Sequence, residues 1–187
     1  MRVGSRIRAG CLALLVGVIV TPWAAPPCKA ASGPGIEAEV QATLGEFFHT
    51  VGSAHELANR AAAILVFPTV VKAGFGIGGE YGEGALHIRG QAVGYYNIIS
   101  GSIGFQLGAQ ARSVIIMFMT EQALAQFQAT DGWKMGIDGS ITVIAIGLGG
   151  AIDTNSITTP IVGFIFDQKG LMYNLTLEGS KISRIYR

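Results

Sequence analysis

The chain is 187 residues long, 50% hydrophobic and 13% charged, with 27 glycines and a formal net charge of +1. That length allows one domain large enough to bury a core. Past the first thirty residues no apolar run reaches the roughly 18–20 residues that a membrane-spanning helix needs.

The N-terminus has the layout of an export signal. Arg2, Arg6 and Arg8 precede a short apolar run over residues 11–20, and a small-residue stretch then permits cleavage after Ala30. The expected division is a signal peptide over residues 1–30 and one domain over 31–187, exported to the periplasm or envelope. An uncleaved anchor is the alternative. Cys28 is a candidate for lipidation, but Pro27 stands where a lipoprotein signal has a small residue. Cleavage removes both cysteines, and with them any disulfide or cysteine–metal site. It also removes four of the 13 basic residues, leaving nine against 12 acidic ones, so the domain sits near −3. A uniformly basic nucleic-acid surface is excluded.

Ile36, Val40, Leu44, Phe47 and Val51 recur at helical spacing and predict an amphipathic helix lying on a sheet. A second helix is expected from Ser53, where Ser53 and Glu56 fit a capping box. Its apolar stripe runs through Leu57, Ala61, Ile64 and Leu65, and Pro68 breaks it. His49 and His55 flank the turn between the two helices. Two histidines without a third ligand do not make a zinc site.

The segment 64–84, ILVFPTVVKAGFGIGGEYGEG, carries the strongest pattern in the chain. From Gly74 onward Phe75, Ile77, Gly79 and Tyr81 alternate with Gly74, Gly76, Gly78, Glu80 and Gly82, which predicts a strand with one apolar face. The opposite face has almost no side chains, which suits close backbone approach or sharp curvature. Residues 74–79 also satisfy G-x-G-x-x-G. That fingerprint requires a strand before it and a helix after it, and here a helix and Pro68 precede while a hairpin-prone stretch follows.

Residues 103–110 repeat the design, with Ile103, Phe105, Leu107 and Ala109 facing one way. Residues 114–119 (VIIMFM) predict a strand buried on both faces. Thr120 is a suitable N-cap for a short helix ending near Gln128, and Asp131-Gly132 marks a return to strand. Further strands are expected over 141–152, 161–167, 171–177 and 181–186, with Gln168-Lys169-Gly170 as a tight hairpin. The expected class is α+β: a strongly curved, barrel-like antiparallel sheet with two N-terminal helices and one short internal helix. Phe75, Ile77, Phe105, Leu107, Val143 and Leu175 are expected to share one core.

Four segments in order, VFPTVVKAGFGIGGEYGEG, SGSIGFQLGAQ, FMTEQAL…TDGW and FDQKGLMYNLTLEGSKISRI, resemble the SYLF family of lipid-binding domains. The resemblance covers roughly residues 36–187. It implies a non-enzymatic module for anionic phospholipid of the phosphoinositide type, or for a membrane surface, in a bacterial envelope. Protein docking is the second reading, since yeast relatives bind actin. Animal members are associated with a basic N-terminal amphipathic segment that contacts phosphoinositides, whereas the helix here carries no Lys or Arg.

No catalytic constellation and no cofactor motif stands out, and the partner expected is lipid or protein rather than nucleic acid. The aspartates Asp131, Asp138, Asp153 and Asp167 sit beside turn residues, where Asx turns are usual. Lys72, at the start of the glycine strand, is the leading candidate for a lipid phosphate, with Arg89 facing it across the hairpin. Unshielded backbone amides at Gly74, Gly76 and Gly78 complete the expected site. An integral outer-membrane barrel also fits the strand content, but aromatic girdles are missing.

Overall fold

The computed structural model describes residues 31–146, 158–170 and 179–187, with only the backbone described for 75–76 and 102–107. All of these lie in one compact unit, Ala31–Arg187. The expected signal segment and the expected strand over 171–177 lie outside the described residues.

Helix α1 spans Gly33–Thr50. Ser32 caps it, its hydroxyl accepting from the Gly35 N–H at 3.3 Å, and Pro34 occupies the first turn, where its missing N–H costs nothing. The stripe Ile36, Val40, Leu44 and Phe47 is buried, as its spacing requires. Helix α2, Ala54–Arg60, is shorter than its apolar pattern suggests, and Ser53 makes no side-chain capping bond. Ala61 is already extended, and strand β1 begins at Ala63. The β-rich run Ile64-Leu65-Val66-Phe67 finds its partners in Val114–Phe118, so sheet pairing overrides the helical period.

Two very long strands form the frame: β1, Ala63–Ile88, and β2, Gln91–Phe118. They make one hairpin whose two-residue turn, Arg89-Gly90, has φ of 52° and 79°. Paired positive φ values are the signature of a type I′ turn. Pro68 lies at a register shift between Phe67 and Val70, where its missing N–H breaks no ladder bond. The Ser113 hydroxyl donates to the Pro68 carbonyl at 2.8 Å and closes this bulge.

Strand β2 is the spine. Besides β1 it pairs with β5 (Ile161–Gly170) through residues 110–118 and with β6 (Lys181–Ile185) through residues 95–99. Helix α3, Glu121–Ala129, follows β2 and is capped by Thr120, whose Oγ1 accepts from the Ala123 N–H at 3.2 Å. The two-residue β3, Trp133–Lys134, pairs with β6, and β4, Ile141–Ala145, pairs with β5. Two expectations are corrected here. The β4–β5 pair is parallel in an otherwise antiparallel sheet, and β5 continues through residues 168–170 instead of turning there.

The ribbon bends sharply at Gly74–Gly78: a Cβ on Gly74 would stand 2.5 Å from the Gly78 Cα. Beyond the bend β1 returns over its own first half. A Cβ on Gly84 would collide with the Val66 carbonyl, so only glycine lets the two stretches of backbone meet. This defines an inner face. On it Leu65, Phe67, Leu86, Ile98, Val114, Ile116 and Phe118 pack with α3 and Trp133. Phe127 is central there, with Phe118, Tyr96 and Trp133 rings 4.8, 5.1 and 5.6 Å away. The outer face carries a second core, in which α1 and α2 cover Val66, Ala85, Ile115, Met117, Val162 and Phe164. Residues 114–118 are buried on both faces, as their composition requires.

Candidate functional site

The bulge at Pro68 decides which way each later side chain of β1 points. Before it the odd positions Leu65 and Phe67 face inward; after it Val70 does, and with it the even positions. The glycine face of the strand is therefore the inner one. Gly82 and Gly84 lie against residues 66–70, with no room for side chains between them. The alternation is as the sequence indicates, but its apolar side faces out. Ile77, expected in the core, is 73% exposed. Val143 does pack against the inner core, while the side chains of Phe75, Phe105, Leu107 and Leu175 lie outside the described residues.

Lys72 goes inward with the even positions. It is only 4% exposed, opposite Gln110 in the ladder, and on the same face as Arg112. A surface phosphate contact from Lys72 is not what this geometry presents. Arg89 is exposed in the hairpin turn at the far end of β1, so the structure does not bring it to Lys72. Gly74 and Gly78 meet each other at the bend, and they pair with Gly108 and Ser102 of β2. The backbone of Gly76 falls in the register shift between Phe75 and Ile77.

What the inner face holds instead is an ion pair. Arg112 Nη2 donates to Glu80 Oε1 at 2.7 Å, with the two side chains 1% and 2% exposed. The partners are 32 positions apart and come together only because β1 folds back at Gly74–Gly78. Sequence reasoning missed this pair. The signal was Glu80 itself, a carboxylate on a face otherwise made of glycine, which burial obliges to find a cation.

On the outer face, α1 covers one end of the ribbon and leaves the other bare. Val71, Ile77, Tyr81 and Ile99 stand exposed there, with Tyr81 directly opposite Ile99. Between them lie Ala73, Gly79, Gly101 and Ala109, also exposed, so small residues join the large ones into one apolar strip. Glu83, next along this face, is not a free charge. Arg187 binds it with two guanidinium nitrogens, and the Tyr81 hydroxyl donates to it at 2.5 Å. Burial alone pushes the Glu83 carboxyl up, but the Arg187 and Tyr81 hydrogen bonds outweigh it and hold it below its ordinary 4.5. Tyr81 moves the other way, raised chiefly by its bond to Glu83.

The three histidines do not converge. His87 is buried and bonds Glu37 of α1 at 3.0 Å, and His55 stacks on Phe48 at 4.4 Å. Among the described residues no three His, Cys, Asp or Glu side chains gather as a metal set. No described helix is long and apolar enough to cross a membrane.

The geometry defines a class of protein: a small α+β domain on one curled sheet, pinned inside by a buried ion pair and presenting a bare apolar strip outside. Residues 99–185 match the family model described as Ysc84, Las17-binding protein actin regulator, in agreement with the SYLF family that the chain's motifs resemble. The matched stretch runs from Ile99 in β2 through β6. Comparison with curated proteins gives no match.

Proposed function

We propose that this domain is a non-catalytic binding module that docks on a lipid membrane surface. The carrying observation is the apolar strip of Val71, Ile77, Tyr81 and Ile99, which α1 leaves uncovered on a sheet whose other faces are packed. A contiguous exposed apolar patch marks an interaction surface. A bilayer suits this one because residues on a curved sheet face can enter the headgroup region without any spanning element. Export fits the same reading: the basic, apolar and small-residue order of residues 1–30 would deliver the domain to the periplasm or envelope.

Flotation of the chain with phospholipid vesicles tests the proposal. The wild type should float, and Ile77→Asp should lose most of that binding while its thermal midpoint stays within a degree or two, since Ile77 contributes little to the core. Protein docking is the second reading. The family description favours it, because it names Las17 binding and actin regulation for the family. No flotation with any vesicle would transfer the apolar strip to a protein partner.

A further inference from the structure

We propose that the apolar strip ends in a two-lysine seat for lipid phosphate, Lys134 with Lys181, so that the domain selects anionic bilayers. This rests on the membrane reading above and names the residues that would hold the lipid phosphate. The ladder sets Tyr81 opposite Ile99, Ile99 opposite Lys181, and Lys181 opposite Lys134. Directly opposed residues project from the same side of a sheet, so one transverse row across four strands reads Tyr, Ile, Lys, Lys. All four are exposed. Their chain neighbours Ile98, Ile182 and Trp133 face the inner core, which fixes the row on the outer face.

Two like charges directly opposite each other destabilise a sheet, and no carboxylate among the described residues relieves them. Among the described residues neither lysine makes an ion pair. Of the two acidic residues near it in sequence, Asp138 has its Oδ2 on the Lys134 backbone N–H at 2.6 Å, and Asp131 forms no ion pair with it. Glu83, the carboxylate of this face on β1, is held by Arg187. The stem of Lys181 lies over Gly132, whose φ of +71° and missing side chain make room for it. Ile137, 70% exposed, protrudes from the turn that follows β3. A domain near −3 overall thus keeps two cations, without an ion pair among the described residues, at the border of this bare apolar strip. An apolar surface edged by unpaired ammonium groups complements a bilayer with anionic headgroups: side chains enter the interface and the lysines meet phosphate at its rim.

The test is flotation of the full chain with phosphatidylcholine vesicles, with and without phosphatidylglycerol. Each lysine near an anionic surface is worth about fivefold in partitioning. Lys134→Gln with Lys181→Gln should therefore lower binding to the phosphatidylglycerol vesicles about thirtyfold and leave the weaker binding to phosphatidylcholine unchanged. Its thermal midpoint should not fall, because a repulsion has been removed. Lys134→Glu should raise the midpoint by creating a cross-strand ion pair while lowering anionic binding, a combination that general loss of structure cannot give. Lys169→Gln is the control, since that ammonium is already bonded to Asp167 at 2.8 Å. An undiminished preference for phosphatidylglycerol in the double variant overturns the proposal, as does an equal loss from Lys169→Gln. Equal flotation of the wild type with both vesicles overturns the proposal and leaves the membrane reading standing. Flotation with neither removes both. Lysine-dependent capture of an acidic polypeptide in place of vesicles would assign the seat to a protein and also overturn it.

Discussion

The Glu80–Arg112 pair is the point at which the folded ribbon is most open to attack. Both side chains are all but sealed from water, and their oxygen and nitrogen lie 2.7 Å apart. Burying an ion pair gains little over packing two apolar groups of similar size, but removing one partner strands a charge inside and costs about 3–5 kcal/mol. Glu80→Leu takes this carboxylate away from the buried Arg112 guanidinium. For a domain of this size the urea dependence is about 2 kcal/mol per molar, so the unfolding midpoint should drop by about 2 M. Glu80→Leu with Arg112→Leu removes both charges of the pair and should recover much of the loss. The assay is urea unfolding followed by circular dichroism on the four proteins of a double-mutant cycle. A loss below about 1 kcal/mol in Glu80→Leu would refute the reasoning, since it would mean that water reaches Arg112 and that the pair does not hold the bend shut.

Phe127→Ala should cost about 3–5 kcal/mol, because its ring meets those of Phe118, Tyr96 and Trp133 at the centre of the inner core. Chemical unfolding at neutral pH measures it. The Glu83 carboxyl is held below 4.5 in the folded chain, so its contribution is fully present above the unfolded value and is lost as pH falls through the folded one. Arg187→Ala should therefore lower stability at neutral pH and flatten the acid limb below about 4.5, which melting curves across that range would show. Mass spectrometry of the envelope fraction should find a chain beginning at Ala31. An intact Met1 or an acylated Cys28 would refute cleavage after Ala30.

The helical stripe of α1, the Thr120 cap and the doubly buried 114–118 segment were legible because each depends on local spacing alone. Three other features were not. Helix α2 stops at Arg60 because the pattern Ala61, Ile64 and Leu65 is equally a strand edge, and only the presence of Val114–Phe118 alongside decides between them. The inward turn of Lys72 depends on one bulge at Pro68, and a single extra residue exchanges the faces of everything after it. The row from Tyr81 to Lys134 joins residues up to a hundred positions apart, through a register that no local window contains. Glycine-rich alternation did announce sharp curvature. It does not say that the backbone itself fills the inner face, where Lys72 is buried.

That reversal divides the work of β1 between its two sets of positions. Past Pro68 the described even residues Gly74, Glu80, Gly82 and Gly84 meet backbone or the buried pair, and the odd residues Val71, Ala73, Ile77, Gly79 and Tyr81 meet solvent. Changes to the even set should act on stability and leave the outer face as it was in whatever remains folded. Gly84→Ala is the sharpest case, because its new methyl has nowhere to go but into the Val66 carbonyl, and moving backbone is costlier than moving a flexible side chain. Changes to the odd set should act on binding alone, as Ile77→Asp is expected to. The separation can be checked by measuring unfolding midpoint and vesicle partitioning on both variants. If Gly84→Ala kept full stability, the two halves of β1 would not be in contact. If Ile77→Asp unfolded the domain, the apolar side would be covered after all, and the case for a membrane-facing strip would go with it.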